Sequence, residues 1–144
     1  MSSSISMAIQ QAGDQICNSI LQQMQSRAVR VANEMRNAEL EVLSGSGGGR
    51  RYRVPGTRVY YTASAPGQVP AVRTGAFRRS WEPNAVMTGK VAVSKLESSH
   101  TVNGYVLGSL LEDGTSKMAP RPHQEKILER AKPQAVAIYS EPYV

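Results

Sequence analysis

Residues 5–43, ISMAIQQAGDQICNSILQQMQSRAVRVANEMRNAELEVL, decide the fold. Their apolar positions Ile5, Ile9, Ala12, Ile16, Ile20, Met24, Ala28, Val31, Met35, Ala38 and Val42 follow one another at steps of three and four. That spacing draws one stripe along an α-helix, whereas a strand would alternate every second residue. Ser2, Ser3 and Ser4 offer hydroxyls to cap its start, and Gly45 is placed to end it. An unbroken helix of about 39 residues would run roughly 58 Å. This exceeds the span expected of the rest of the domain, so the pattern leaves room for a break near Gly13 or around Gln25. Core packing is the expected use of the stripe, with Cys17 as a small core residue. The Gln-rich opposite face, Gln10, Gln11, Gln22, Gln23 and Gln25, suits solvent or a neighbouring subunit.

Outward from this helix the character changes at once. Residues 44–53 read SGSGGGRRYR, a flexible joint followed by positive charge. Arg50, Arg51, Arg53, Arg58, Arg73, Arg78 and Arg79 all fall before Trp81, and no acid stands among them. Pro55, Gly56, Pro66, Gly67, Pro70 and Gly75 make residues 44–76 mostly loop, with one short β-prone run at 58–62. A loop of that length in a small domain is usually functional or disordered. Arginine's planar fork suits phosphate and carboxylate equally, so these seven arginines are expected to contact DNA or an acidic partner.

Alternation then returns. Phe77, Arg79 and Trp81 fit one side of an extended stretch, and Val91 and Val93 one side of another. Thr88-Gly89 is the expected turn between 85–87 and 90–96. A hairpin or three-stranded antiparallel sheet fits 77–121, while 104–111 reads as a strand or a short helix. Ile127, Leu128, Ala131, Ala135 and Ile138 predict a final helix over 122–139, with Pro122 in its first turn. Pro133 predicts a kink or an early end. The expected architecture is therefore α+β, in one domain spanning 1–144.

The totals agree with an assembly subunit. Of 144 residues 40% are hydrophobic, but one Phe, one Trp and six Tyr are the whole aromatic content. So thin a core is expected to complete its burial against neighbouring subunits. A net charge of +6 favours anionic partners. One cysteine excludes an internal disulfide and points to a reducing place of synthesis. The N-terminus lacks the pattern of a signal peptide, and no run approaches the roughly 20 apolar residues of a membrane span, so a soluble protein is expected.

Catalytic chemistry finds little support. GSGGGRR lacks the lysine and hydroxyl of a phosphate loop and follows a helix rather than a strand. His100 and His123 are the only histidines, no Gly-x-Ser-x-Gly elbow presents a serine, and clustered metal ligands are missing. Glu112 and Asp113 are adjacent, so their side chains diverge, unlike the facing carboxylates of a glycosidase. No catalytic, metal or cofactor site is expected. In LLEDGTSKMAPRPH, residues 110–123, Asp113-Gly114 makes a turn, Thr115 and Ser116 bond local backbone, and Ala119 to Pro122 run extended because residues before proline leave the α region. Glu112 then becomes a candidate partner for the arginine loop.

Two stretches together, VYYTASAPGQVPAVRTGAFRRSW (59–81) and LLEDGTSKMAPRP (110–122), resemble the HK97 gene-product-ten-like family of tailed bacteriophages, related to the lambda minor tail protein Z. The likeness is carried by Ala65, Pro66, Gly67, Pro70, Ala71, Thr74, Gly75, Phe77, Arg78 and Ser80, with Trp81 closing the first stretch. It continues through Tyr105, Glu112, Gly114, Thr115, Ala119, Pro120, Arg121 and Pro122. Phe77 stands where the family usually has Leu. His123 replaces a common Phe, which predicts a weaker or solvent-facing anchor for the last helix.

The resemblance implies a non-enzymatic virion protein of the neck or upper tail, made in the host cytoplasm. It implies a homo-oligomeric ring beside tail terminator, head-tail connector (adaptor or stopper) and tail tube proteins, with phage DNA in the lumen as a further contact and no membrane. The arginine segment alone allows a rival, a nonspecific DNA-binding protein.

Overall fold

The computed structural model describes residues 2–45, 47–72 and 75–143. Helix α1, Ser2–Val42, runs without interruption for 41 residues, so neither Gly13 nor Gln25 breaks it. Glycine in a helix interior costs only about 1 kcal/mol relative to alanine, less than abandoning the flanking hydrogen bonds. The helix ends three residues before Gly45, where Leu43 N–H donates to Glu39 O at 2.9 Å.

Burial divides α1 in two. Residues 5–19 are exposed on every side, including Ile5, Ile9 and Ile16. From Arg27 onward the stripe sinks: Ala28, Val31, Ala32 and Ala38 are buried, and Leu43 beyond the helix end seals it. Core packing thus holds for the second half only. Cys17 lies on the free half and is exposed, not a core residue.

The loop expected over 44–76 contains a hairpin. Strands β1 (Arg51–Arg53) and β2 (Tyr60–Thr62) pair antiparallel, Tyr52 opposite Tyr61. At its tip Thr57 N–H donates to Val54 O at 3.1 Å across Pro55-Gly56, with Gly56 at φ 75°. This is a type II turn, which needs Gly or Asn at its third position. A second such turn, Ala65-Pro66-Gly67-Gln68, closes with Gln68 N–H to Ala65 O at 3.0 Å and Gly67 at φ 81°.

Residues expected to extend from Phe77 instead form one helical turn, α2, Ala76–Arg79, with Gly75 at φ 80° before it. Trp81 begins β3 (Trp81–Thr88), which pairs over its full length with β4 (Val91–Ser98) around Gly89-Lys90. Val91 and Val93 do share a face, but it is the exposed one; Ala92, Ser94, Leu96 and Ser98 turn inward. Residues 104–111 are strand and helix in turn: β6 (Tyr105–Val106) pairs with β5 (Thr101–Val102), and α3 is Leu107–Asp113. The architecture is therefore α+β, with three separate two-stranded sheets among the described residues.

Helix α4, Gln124–Tyr139, lies along the second half of α1. Pro122 precedes it rather than entering its first turn, and Pro133 sits inside it without ending it. Ile127, Ala131 and Ile138 are buried, whereas Leu128 is exposed. The core joins Ala38, Leu43, Trp81, Ile127 and Ala131, flanked by Met35, Val42, Phe77 and Leu96. Beyond α4 the chain is strapped to α1. Arg27 donates to the carbonyls of Glu141 and Pro142 and lies over the Tyr143 ring, and Arg30 grips the Glu141 carboxylate at 2.8 and 2.9 Å. That grip holds the Glu141 carboxyl below its ordinary range.

Candidate functional site

The two stretches that carry the family resemblance meet in space. Gly67 N–H donates to Pro120 O at 3.1 Å, and Arg121 Nε donates to Ser64 Oγ at 2.8 Å. Pro66 and Gly67 thus form a knuckle docked on the Ala119–Pro122 strap, whose own geometry is set by the turn before it. Gly114, at φ 77°, ends α3, and a Cβ there would lie 2.8 Å from Pro120 N and 2.9 Å from Met118 O. Thr115 N–H then bonds Met118 O at 2.8 Å, so glycine is required by conformation and by space together.

Glu112 was expected to answer the arginine loop; it answers α4. Its Oε2 accepts the backbone N–H groups of His123 at 2.9 Å and Gln124 at 3.2 Å, at a helix start that no neighbouring side chain caps. A carboxylate at a helix N-terminus satisfies orphan donors and meets the positive end of the dipole. Among the described residues Glu112 forms no ion pair with Arg50, Arg51, Arg53 or Arg58.

His123 overturns the expectation of a solvent-facing anchor. Its side chain is fully buried, edge-on to Phe77 at 5.5 Å and Trp81 at 5.8 Å. Nδ1 lies 3.0 Å from both Arg121 O and Glu112 Oε2, two acceptors that assign the proton to Nδ1. Nε2 is buried without a hydrogen-bond partner among the described residues. The ring is therefore an aromatic wedge with one tethered edge. Enclosed in this way, it has no open face to offer a substrate.

The arginine segment does not act as one surface. Arg78 turns inward: its Nε donates to Leu40 O at 2.9 Å, and its charge reaches the buried Glu39 carboxylate. Glu39 is fully buried, neither oxygen has a hydrogen-bond partner among the described residues, and burial pushes its carboxyl up to about 7 against the pull of Arg36 and Arg78. Arg79 folds over Gly75, where a Cβ would stand 2.7 Å from Nη1. Arg73 and Thr74 lie outside the described residues.

Arg50, Arg51, Arg53 and Arg58 are exposed on the β1–β2 hairpin. Alternation places Tyr52 and Tyr61 on one face, stacked at 5.8 Å, and Arg51, Arg53 and Tyr60 on the other. The Arg51 guanidinium lies 4.4 Å from the Tyr60 ring centre, and Arg50 lies 5.5 Å from that of Tyr52. Arg53 Nε donates to Thr57 O in the turn. Among the described residues no carboxylate forms an ion pair with these four arginines. Behind the tyrosine face opens a cleft of about 510 Å³, lined by Tyr52, Tyr61, Phe77, Leu107, Leu111 and Arg121. His100 borders it without a second titratable histidine or cysteine, and no group of metal-ligating side chains occurs among the described residues. What the hairpin can do chemically is bind anions.

No family model, curated protein or solved structure matches the chain. Among the described residues no helix is long and apolar enough to cross a membrane.

Proposed function

We propose that the chain is a structural subunit of the neck or upper tail of a tailed bacteriophage, completing the tail or joining it to the head within an oligomeric ring. The observation that carries this reading is the free half of α1. Ile5, Ile9 and Ile16 keep 67%, 68% and 61% of their surface exposed, on an arm whose only charged residue before Arg27 is Asp14. A contiguous apolar stripe on a nearly uncharged surface marks a contact site. Fully burying each isoleucine would contribute about 1.5–3 kcal/mol. The ring supplies that burial through neighbouring copies, and terminator, connector or tube subunits cover the rest.

The docking of residues 65–67 on 119–122 adds support, because the motifs behind the family resemblance form one structural unit. Removal of the gene from the producing phage should yield filled heads and tails that do not join, or tails of abnormal length, in electron micrographs. Normal joined particles would end the proposal. Neighbouring reading frames for portal, adaptor or terminator proteins would strengthen it.

A further inference from the structure

We propose that the β1–β2 hairpin is a contact for the phosphate backbone of duplex DNA, made by Arg51, Arg53 and Arg58 with Arg50 at its margin. This assigns DNA contact to four of the seven arginines between residues 50 and 81 and removes it from Arg78, which bonds the body of the fold. It stands apart from the assembly role, since an isolated chain should show it.

Three features favour phosphate. Arg51 and Arg53 point to the same side, about 6.8 Å apart along the strand, with no carboxylate paired to either among the described residues. The Tyr60 ring, 4.4 Å from the Arg51 guanidinium carbon, holds that cation without neutralising it, and the planar fork of arginine suits phosphate oxygens. Finally, the outward face of the paired strands is built from Arg51, Arg53, Tyr60 and Thr62, and apart from the Tyr60 ring, which lies against Arg51, it has no apolar centre. An acidic protein would need such a centre and roughly 800 Å² from each side. Charge neutralisation on DNA needs neither. A two-stranded ribbon also fits the major groove, about 12 Å wide. The proposed contacts go to phosphate alone, which carries no sequence information, so binding is sequence-independent.

The test uses the purified full chain and a fluorescent random-sequence duplex, with anisotropy measured from 50 to 300 mM KCl. Three to four phosphate contacts predict a log–log salt slope of about −3, with Kd in the range of about 10⁻⁴ to 10⁻⁶ M near physiological salt. R51E/R53E should weaken binding about tenfold or more and flatten the slope by about 2, while R51K/R53K should retain most of the affinity. K126E/K132E, the same charge change on the exposed side of α4, should have a much smaller effect. Equal losses in the two Glu variants would overturn the proposal in favour of a diffuse field. No salt-dependent binding, or binding to polyglutamate as tight as to DNA, would also overturn it. If R51E/R53E fails to fold by circular dichroism, R58E at the loop tip is compared with K126E, one reversal against one, and should flatten the slope by about 1.

Discussion

Glu39 and Glu112 show how position sets the role of one side chain. Glu39 sits in the core with both oxygens unpartnered, and its carboxyl is pushed from the ordinary 4.5 to about 7. The folded state therefore holds a proton that the unfolded chain releases. Stability should fall as pH rises from about 4.5 to 7 and stay low above that window. In urea melts at pH 5 and pH 8, Glu39→Gln should remove this dependence and raise the midpoint at pH 8. A variant that keeps the wild-type pH profile would show that the carboxylate is not the source. Glu112 does different work, its carboxyl oxygen accepting the first backbone N–H groups of α4. Glu112→Ala should cost about 1 kcal/mol, within the range for losing an N-cap, and Glu112→Gln should recover part of it because the acceptor oxygen survives. Equal denaturant midpoints for all three proteins would remove the capping role. Neither role was legible in the sequence, since which donors surround a carboxylate depends on elements far apart in the chain.

At the scale of elements, the long helix was the clearest reading, because a stripe repeated over eleven positions leaves no competing period. The step from stripe to burial failed for its first half, since spacing reports a face and not what covers it. Gly13 makes this free half testable: nothing lies within 4 Å of where a Cβ would be. Gly13→Ala should raise helicity at 222 nm and stabilise the arm by about 1 kcal/mol without shifting the main unfolding transition. Reduced helicity would mean that the arm is not a continuous helix in solution. Short elements were read less well. Asn103-Gly104, with both residues at positive φ, is a strong hairpin signal that the residues did announce and the reading passed over. The turn of α2 was hidden because Phe77, Arg79 and Trp81 satisfy a period of two by coincidence, across a helix only four residues long.

For the whole molecule, the α+β class and the order of elements were visible, but the division of labour among the arginines was not. Arg50, Arg51, Arg53 and Arg58 look like Arg78 in sequence; only the hairpin register and the bond to Leu40 separate a surface from a brace. His123 likewise gave no sign of its burial in sequence: it packs edge-on against Phe77 and Trp81. The free half of α1 has a further electrostatic meaning. Its exposed residues 5–19 project roughly 20 Å at 1.5 Å per residue, against a Debye length of about 8 Å at physiological ionic strength. A contact made at the tip of that arm therefore joins bodies of net charge +6 across more than two screening lengths. Like-charged subunits can be tethered there at salt concentrations where direct face-to-face approach would be opposed.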